Sequence, residues 1–462
     1  MTLILGAGLA GLSCSWHLGH ERCLLLEKDA KPFGHIAAEQ RDGFTWDPGP
    51  HVSFTKHEYV RTLFADSVGG EFDEYEVNTG NYYRGHWIDH PAQSALHQVP
   101  EPLRSQCLES FLQTRTAEPG TAAAPQNYQQ WLERAFGPAF ANHFPAAYTR
   151  KYWTREPADM TTSWVGQRMF YPAVDDVVAG SKGPLERKTH YITRVRYPRR
   201  GGYQSFAGKL AAGANIRFGA EVIAVDLDAR QVFTGDGRCC PFDRLINTLP
   251  LPLFVNLCRG VPDGVRQAAA ALSCSQLLLV NVRAPHATLR PENWIYVYDE
   301  DKLSTRIHCV EKLTPGNAPQ GWTGVQAEVY FSRHRPLSLS PEQVGERVVD
   351  ELIEMGLIDP AACPDPEQIS HHIRYCPWAN VIFDHDTVPA LNTIWGWLER
   401  KGLAREADDL EPLTDWTAPH RPGATTAPLA MAGRFAQWKY FWTDDCVLRA
   451  LHLSKSKTGA SF

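Results

Sequence analysis

Three glycines and one glutamate near the start of this 462-residue chain have the types and spacing needed to hold a dinucleotide. The run is Gly6-Ala7-Gly8-Leu9-Ala10-Gly11, and Glu27 follows 21 residues after Gly6. In such a run the first glycine permits a tight turn and the second lets the backbone approach a pyrophosphate. The third lets a helix pack closely on its strand. The phosphates then lie on free N–H groups at the positive end of the helix dipole. A carboxylate at Glu27 can accept from both ribose hydroxyls.

The flanking elements match that task. Leu3-Ile4-Leu5 reads as a strand, Leu12, Trp16 and Leu18 as a helix behind the glycines, and Leu24-Leu25-Leu26 as the second strand. An acid at the end of that strand disfavours a 2′-phosphate, and Glu rather than Asp in a fold at the head of a long chain points to FAD over NAD. Lys28 and Gly34 continue the predicted cofactor side, in a run from Glu27 to His35.

Composition excludes several classes. Forty-six Lys and Arg against 52 Asp and Glu give a net charge of −6, with no basic footprint for nucleic acid. No apolar run reaches the roughly 20 residues of a membrane span. Met1 to Leu5 has no basic stretch of the kind that opens a signal peptide, so the chain reads as cytoplasmic. The eleven cysteines form no C-x-x-C pair, and Cys239-Cys240 are adjacent. His371-His372 and Asp384-His385-Asp386 lack ligand spacing on a helix face, so no metal is expected.

Farther along, Trp46 to Val52 is rich in turn residues and Asn81 to Ile88 reads as a hairpin turning at Arg84-Gly85. Leu96 to about Phe144 is helical apart from a Pro/Gly/Ala-rich break at Thr116–Pro125. Strands are predicted at Ile192–Tyr197, Ile216–Phe218, Glu221–Leu227, Gln231–Thr234 and Leu245–Leu249. An antiparallel sheet is predicted from Leu277–Val282, Trp294–Tyr298, Ser304–Val310 and Gly324–Phe331, with an amphipathic helix over Pro341–Met355. The expected class is α/β. A discontinuous Rossmann-like FAD domain (1–80, 201–255 and 425–462) carries a mostly helical lid (81–200) and a mixed α/β substrate domain (256–424).

Spread along the chain are Asp47-Pro48-Gly49-Pro50-His51-Val52, Asp89-His90-Pro91-Ala92-Gln93, Tyr148 to Trp153, Trp164-Val165-Gly166-Gln167-Arg168, Tyr197 to Gly202 and Gly433 to Tyr440. In these stretches and in their order the chain resembles the UDP-galactopyranose mutases, eukaryotic-type and bacterial. These are flavoproteins related to protoporphyrinogen oxidases and amine oxidases. The resemblance implies a reduced flavin whose N5 attacks the anomeric carbon of a nucleotide sugar. The ring then contracts from pyranose to furanose with no net oxidation. An external reductant such as NAD(P)H is implied as well.

By the same resemblance His51 lies beside the flavin, and Arg168, Arg306 and Arg434 are the active-site cations. Arginine suits that role because its planar fork binds phosphate oxygens in pairs and keeps its proton. Val222, Gly433 and Arg434 complete the implied cofactor contacts. Gln93, Trp153, Arg168, Arg306, Tyr440 and Asp444 are the implied substrate contacts. Arg434 is expected at the start of the last cofactor-facing helix.

The chain departs from the family at several implied substrate contacts, beside the nucleobase and beside the pyrophosphate. A Tyr-Pro-Phe-Gln motif reads His90-Pro91-Ala92-Gln93, an expected tyrosine falls near Asn380, and an expected asparagine is Asp444. Two functions compete with a mutase: a true redox flavoenzyme (oxidase, dehydrogenase or desaturase) and a flavin-bearing scaffold without catalysis.

Overall fold

A computed structural model describes residues 1–116, 124–165, 171–186, 192–405 and 426–454. The predicted break at Thr116–Pro125 falls mostly outside them, and so does Arg168.

The glycine run leads a five-stranded parallel sheet. Its strands, in spatial order, are Leu429–Met431, Arg244–Asn247, Thr2–Leu5, Cys23–Leu26 and Ile216–Arg217. Each pair runs parallel, so segments far apart in sequence, such as Thr2 and Arg244 or Leu245 and Leu429, become neighbours. Leu3-Ile4-Leu5 and Leu24-Leu25-Leu26 are buried throughout, as a sheet covered on both faces requires. The helix Leu9–Leu18 packs against the last helix, Thr443–Ser454, through Leu9, Leu12, Val447 and Leu448.

A seven-stranded mixed sheet stands opposite. In spatial order it holds Ser370–Ile382, Ser273–Ala284, Thr323–Phe331, Arg306–Cys309, Trp294–Val297, Thr79–Tyr83 and His86–Asp89. Thr79–Tyr83 and His86–Asp89 form the predicted hairpin, with Arg84 and Gly85 at positive φ in its turn. Along Val325-Gln326-Ala327-Glu328-Val329-Tyr330 apolar and polar residues alternate. Val325, Ala327 and Val329 pack with Val344, Val348 and Leu352 of the helix Pro341–Glu354. That helix begins with a capping box between Ser340 and Gln343. The period of two sends Gln326, Glu328 and Tyr330 to the other face.

The third layer is helical: Leu103–Thr116, Tyr128–Phe136, Pro138–His143 and Pro145–Tyr152 pack through Phe111, Leu132, Phe136, Phe140 and Phe144. Among the described residues no helix is long and apolar enough to cross a membrane.

Sequence periodicity places most of these elements within a few residues. No expectation covered the helix Pro145–Tyr152, the strand Leu429–Met431 or the long edge strand Ser370–Ile382. Pro377 interrupts its pattern, and proline is tolerated in a strand at a sheet edge or a bulge. Both conditions hold here.

Candidate active site

Between the two sheets and the helical layer lies a cleft of about 1050 Å³. One wall is bare backbone. Gly8 caps the first helix without a side-chain hydrogen bond, and the first turn carries no acid. Its N–H groups are therefore open to an anion. Gly6 turns at φ 95°. A Cβ on Gly11 would lie 2.1 Å from the Gly6 carbonyl oxygen, and one on Gly433 would lie 2.9 Å from the Ala10 Cβ. Only glycine allows these strands and turns to close on the helix start.

Glu27 is buried at the rim of this cradle. Its carboxylate accepts from Ala7 N at 2.7 Å and from Asp29 N at 3.1 Å. Each oxygen keeps a second lone pair for a ribose hydroxyl. Gly6, Gly8, Ala10, Glu27, Lys28, Gly34, Val222 and Gly433 all line the cleft. Gly11 does not; it sits beneath, where the helix meets the Gly6 turn. These features fit the pyrophosphate and ribose of FAD.

Farther in, the turn Pro48-Gly49-Pro50 delivers His51. Gln326 holds that turn, accepting from Gly49 N at 2.9 Å and donating to the Asp47 carbonyl at 2.9 Å. Burial first, and then the nearby Arg306 guanidinium, pulls the His51 imidazole down to about 3. Burial and then Arg434 pull His35 down to about 4. Both rings are neutral at pH 7. Behind the turn burial pushes the Asp47 carboxyl up to about 7, although Tyr197 donates to it at 2.6 Å.

The opposite wall consists of side chains set by strand register. Glu328 pairs directly across from Arg306, and Arg306 from Tyr296. Nε and Nη2 of Arg306 each donate to a Glu328 oxygen at 2.7 Å, and Tyr330 donates to the same carboxylate at 2.9 Å. The helix Pro145–Tyr152 adds Tyr148 and Tyr152, stacked at 5.3 Å, and Tyr152 meets Tyr330 at 4.7 Å. Lys151, on the same helix and 2% exposed, donates to the carbonyls of Val297, Asp299 and Ser304 at 2.7 to 3.0 Å. It thereby ties the helix to the large sheet.

Arg434 enters from the other side, in the turn after Leu429–Met431. The following helix starts only at Thr443, so the expectation that Arg434 opens that helix is corrected. The chain needs the intervening residues to seat Trp438, fully buried at positive φ, and Tyr440. Nη2 of Arg434 donates to Asn380 Oδ1 at 2.7 Å, and its guanidinium lies 4.8 Å from the Tyr440 ring centre.

Gln93, Trp153, Arg306, Arg434, Tyr440 and His51 thus reach one cleft. Asp444 is different: it lies in the first turn of the last helix, near Tyr203, and does not line the cleft. Sequence reading overlooked Glu328, Tyr330, Arg374 and Tyr296, and gave Asn380 no role. The period-two alternation around Glu328 was the available signal for that face.

A family model for flavin containing amine oxidoreductase matches residues 9–380. The chain belongs to that family, and its cofactor is FAD. Three solved structures share the fold. A reduced UDP-galactopyranose mutase has a TM-score of 0.82 at 20% identity, over 98% of this chain and 94% of that one. A putative protoporphyrinogen oxidase from Exiguobacterium sp. 255-15 gives 0.69 at 17% identity, over 98% and 97%. Wild-type putrescine oxidase bound to putrescine gives 0.61 at 14% identity, over 98% and 97%.

Proposed function

We propose that this flavoprotein is an FAD-dependent nucleotide-sugar mutase, an isomerase that contracts a pyranose to a furanose in polysaccharide or glycoconjugate synthesis. One observation carries the reading. His51, Gln93, Trp153, Arg306, Arg434 and Tyr440, singled out by resemblance to the mutases, come from five separate segments and line a single cleft. Its volume of about 1050 Å³ exceeds the roughly 300–1,000 Å³ of a pocket for one small ligand. Cofactor and substrate can share it. The fold held in common with a reduced UDP-galactopyranose mutase supports the same reading.

The bound, reduced flavin supplies a nucleophilic nitrogen. The protein supplies position and charge. Arg434 compensates the negative charge that grows on a departing diphosphate, with Arg168 assigned beside it by resemblance. Trp153 and Tyr440, with ring centres 5.5 Å apart, give flat walls to the substrate. The neutral His51 offers a hydrogen bond near the flavin without adding charge there. The test is to load the enzyme with FAD, reduce it with dithionite and supply a panel of pyranose sugar nucleotides. A furanose isomer is expected from reduced enzyme and not from oxidised enzyme. If no member of the panel isomerises, the assignment fails.

A second reading is favoured by the Arg306–Glu328 pair inside its ring of tyrosines, which suits an uncharged or amine substrate better than a diphosphate. Under that reading the enzyme is a redox flavoenzyme. A substrate that bleaches the oxidised flavin without air would select it.

A further inference from the structure

The two guanidiniums of Arg306 and Arg434, which both line the cleft, are held in opposite electrostatic states. Arg306 faces a carboxylate: both oxygens of Glu328, itself 1% exposed, accept from it at 2.7 Å. That pair is neutral as a unit. Arg434 faces an amide. Its Nη2 donates to Asn380 at 2.7 Å, its Nη1 reaches only the Phe441 carbonyl at 3.5 Å, and its Nε has no hydrogen-bond partner.

A guanidinium can only donate, so the Asn380 atom it meets must be the oxygen. The same oxygen accepts from Tyr152 at 3.1 Å. The amide nitrogen is left buried without a partner, in a residue 3% exposed that lines the cleft. Backbone geometry puts it there. Ser275 pairs with Asn380 and Leu277 with Cys376, so the single residue between them on one strand, Gln276, faces three on the edge strand. This bulge brings Pro377, Trp378, Ala379 and Asn380 into the cleft, as bulges beside functional sites do.

We infer that Asn380 is a specificity-determining residue that sets the charge of the cleft. By giving Arg434 a neutral acceptor it keeps that guanidinium uncompensated for a phosphate oxygen, to which its own amide N–H also donates. Arg306, neutralised by Glu328, does not supply that charge. The inference rests on the reading that the substrate is a diphosphate, and it assigns the anion to Arg434.

Asn380→Asp is nearly isosteric. It preserves the acceptor for Arg434 and Tyr152, turns Arg434 into an ion pair and replaces the free amide with an anionic oxygen. The probe is inorganic pyrophosphate, titrated into FAD-loaded enzyme and read from the flavin spectrum, which also reports folding. Asn380→Asp is expected to weaken pyrophosphate binding at least tenfold and to flatten its salt dependence. Glu328→Gln, which frees Arg306, is expected to tighten binding about tenfold. Binding of pyrophosphate within twofold of the parent in Asn380→Asp overturns the inference and leaves the mutase reading standing. No binding to the parent enzyme overturns both.

Discussion

Backbone makes one wall of the cleft and side chains make the other. On the cofactor side Gly6, Gly8 and Gly433 present bare backbone at the start of the first helix, and Gly11 beneath them lets that helix close on the Gly6 turn. On the substrate side Arg306, Glu328, Tyr296 and Tyr330 stand where strand register puts them. Substitution can alter the second wall and leave its frame intact. The first has no such freedom, because its frame and its binding surface are the same atoms.

The contrast predicts the largest effect at Gly11. A methyl there would lie 2.1 Å from the Gly6 oxygen; the methyl is fixed to its Cα and its partner is backbone, so neither can rotate aside. Gly11→Ala is expected to yield protein without flavin absorbance after purification and to fail reconstitution with added FAD. A yellow, stoichiometrically loaded variant would refute the idea that this wall has no slack.

Lys151 sharpens the comparison from the other wall, where a single side chain does the framing. Its three donors meet three buried carbonyls, and Lys151→Met removes all three donors, although the Asp299 carbonyl still accepts from Lys302 N at 3.3 Å. At about 1–3 kcal/mol for each orphaned group, the expected loss is about 2 kcal/mol or more of stability, seen as a lower urea midpoint. Because the helix also carries Tyr148 and Tyr152 into the cleft, substrate binding is expected to weaken while FAD remains bound. Unchanged urea stability would show that the tie is dispensable.

The same division explains what could be read in the chain beforehand. The glycine run, its strands and Glu27 are legible because spacing of a few residues fixes their geometry. The hairpin at Arg84-Gly85 and the helix from Pro341 are legible for the same reason. The pairing of Arg306 with Glu328 spans 22 residues and depends on which strands become neighbours, which local pattern does not specify. Asn380 was further concealed: Pro377 breaks the strand pattern, and the bulge that aims Asn380 is a property of two strands together. Arg434 lines the cleft, but the turn that carries it has no helical period to mark where the helix begins.

The smallest predicted effect concerns charge behind the substrate wall. Burial, and then Arg306, pulls His308 down to about 3; His51 lies at about 3 and His35 at about 4. In the unfolded chain these rings take up protons near pH 6.5, whereas the folded chain resists until pH 3 to 4. Their stabilisation is therefore complete above pH 6.5 and is lost as pH falls toward 4. Asp47 works in the opposite sense. Held at about 7 against 3.8 when unfolded, it stabilises most below pH 3.8 and loses that contribution as pH rises through 7. Three groups outweigh one, so melting temperature is expected to fall as the pH is lowered from 6.5 to 5. His308 is fully buried with no hydrogen-bond partner on either ring nitrogen. Replacing it with leucine removes one of the protons taken up on unfolding, worth about 1.4 kcal/mol per pH unit. His308→Leu is expected to be at least as stable as the parent at pH 7 and to show a shallower decline toward pH 5. A decline as steep as the parent's would mean that His308 is already protonated in the folded protein, beside Arg306, and that this wall tolerates more positive charge than its geometry implies.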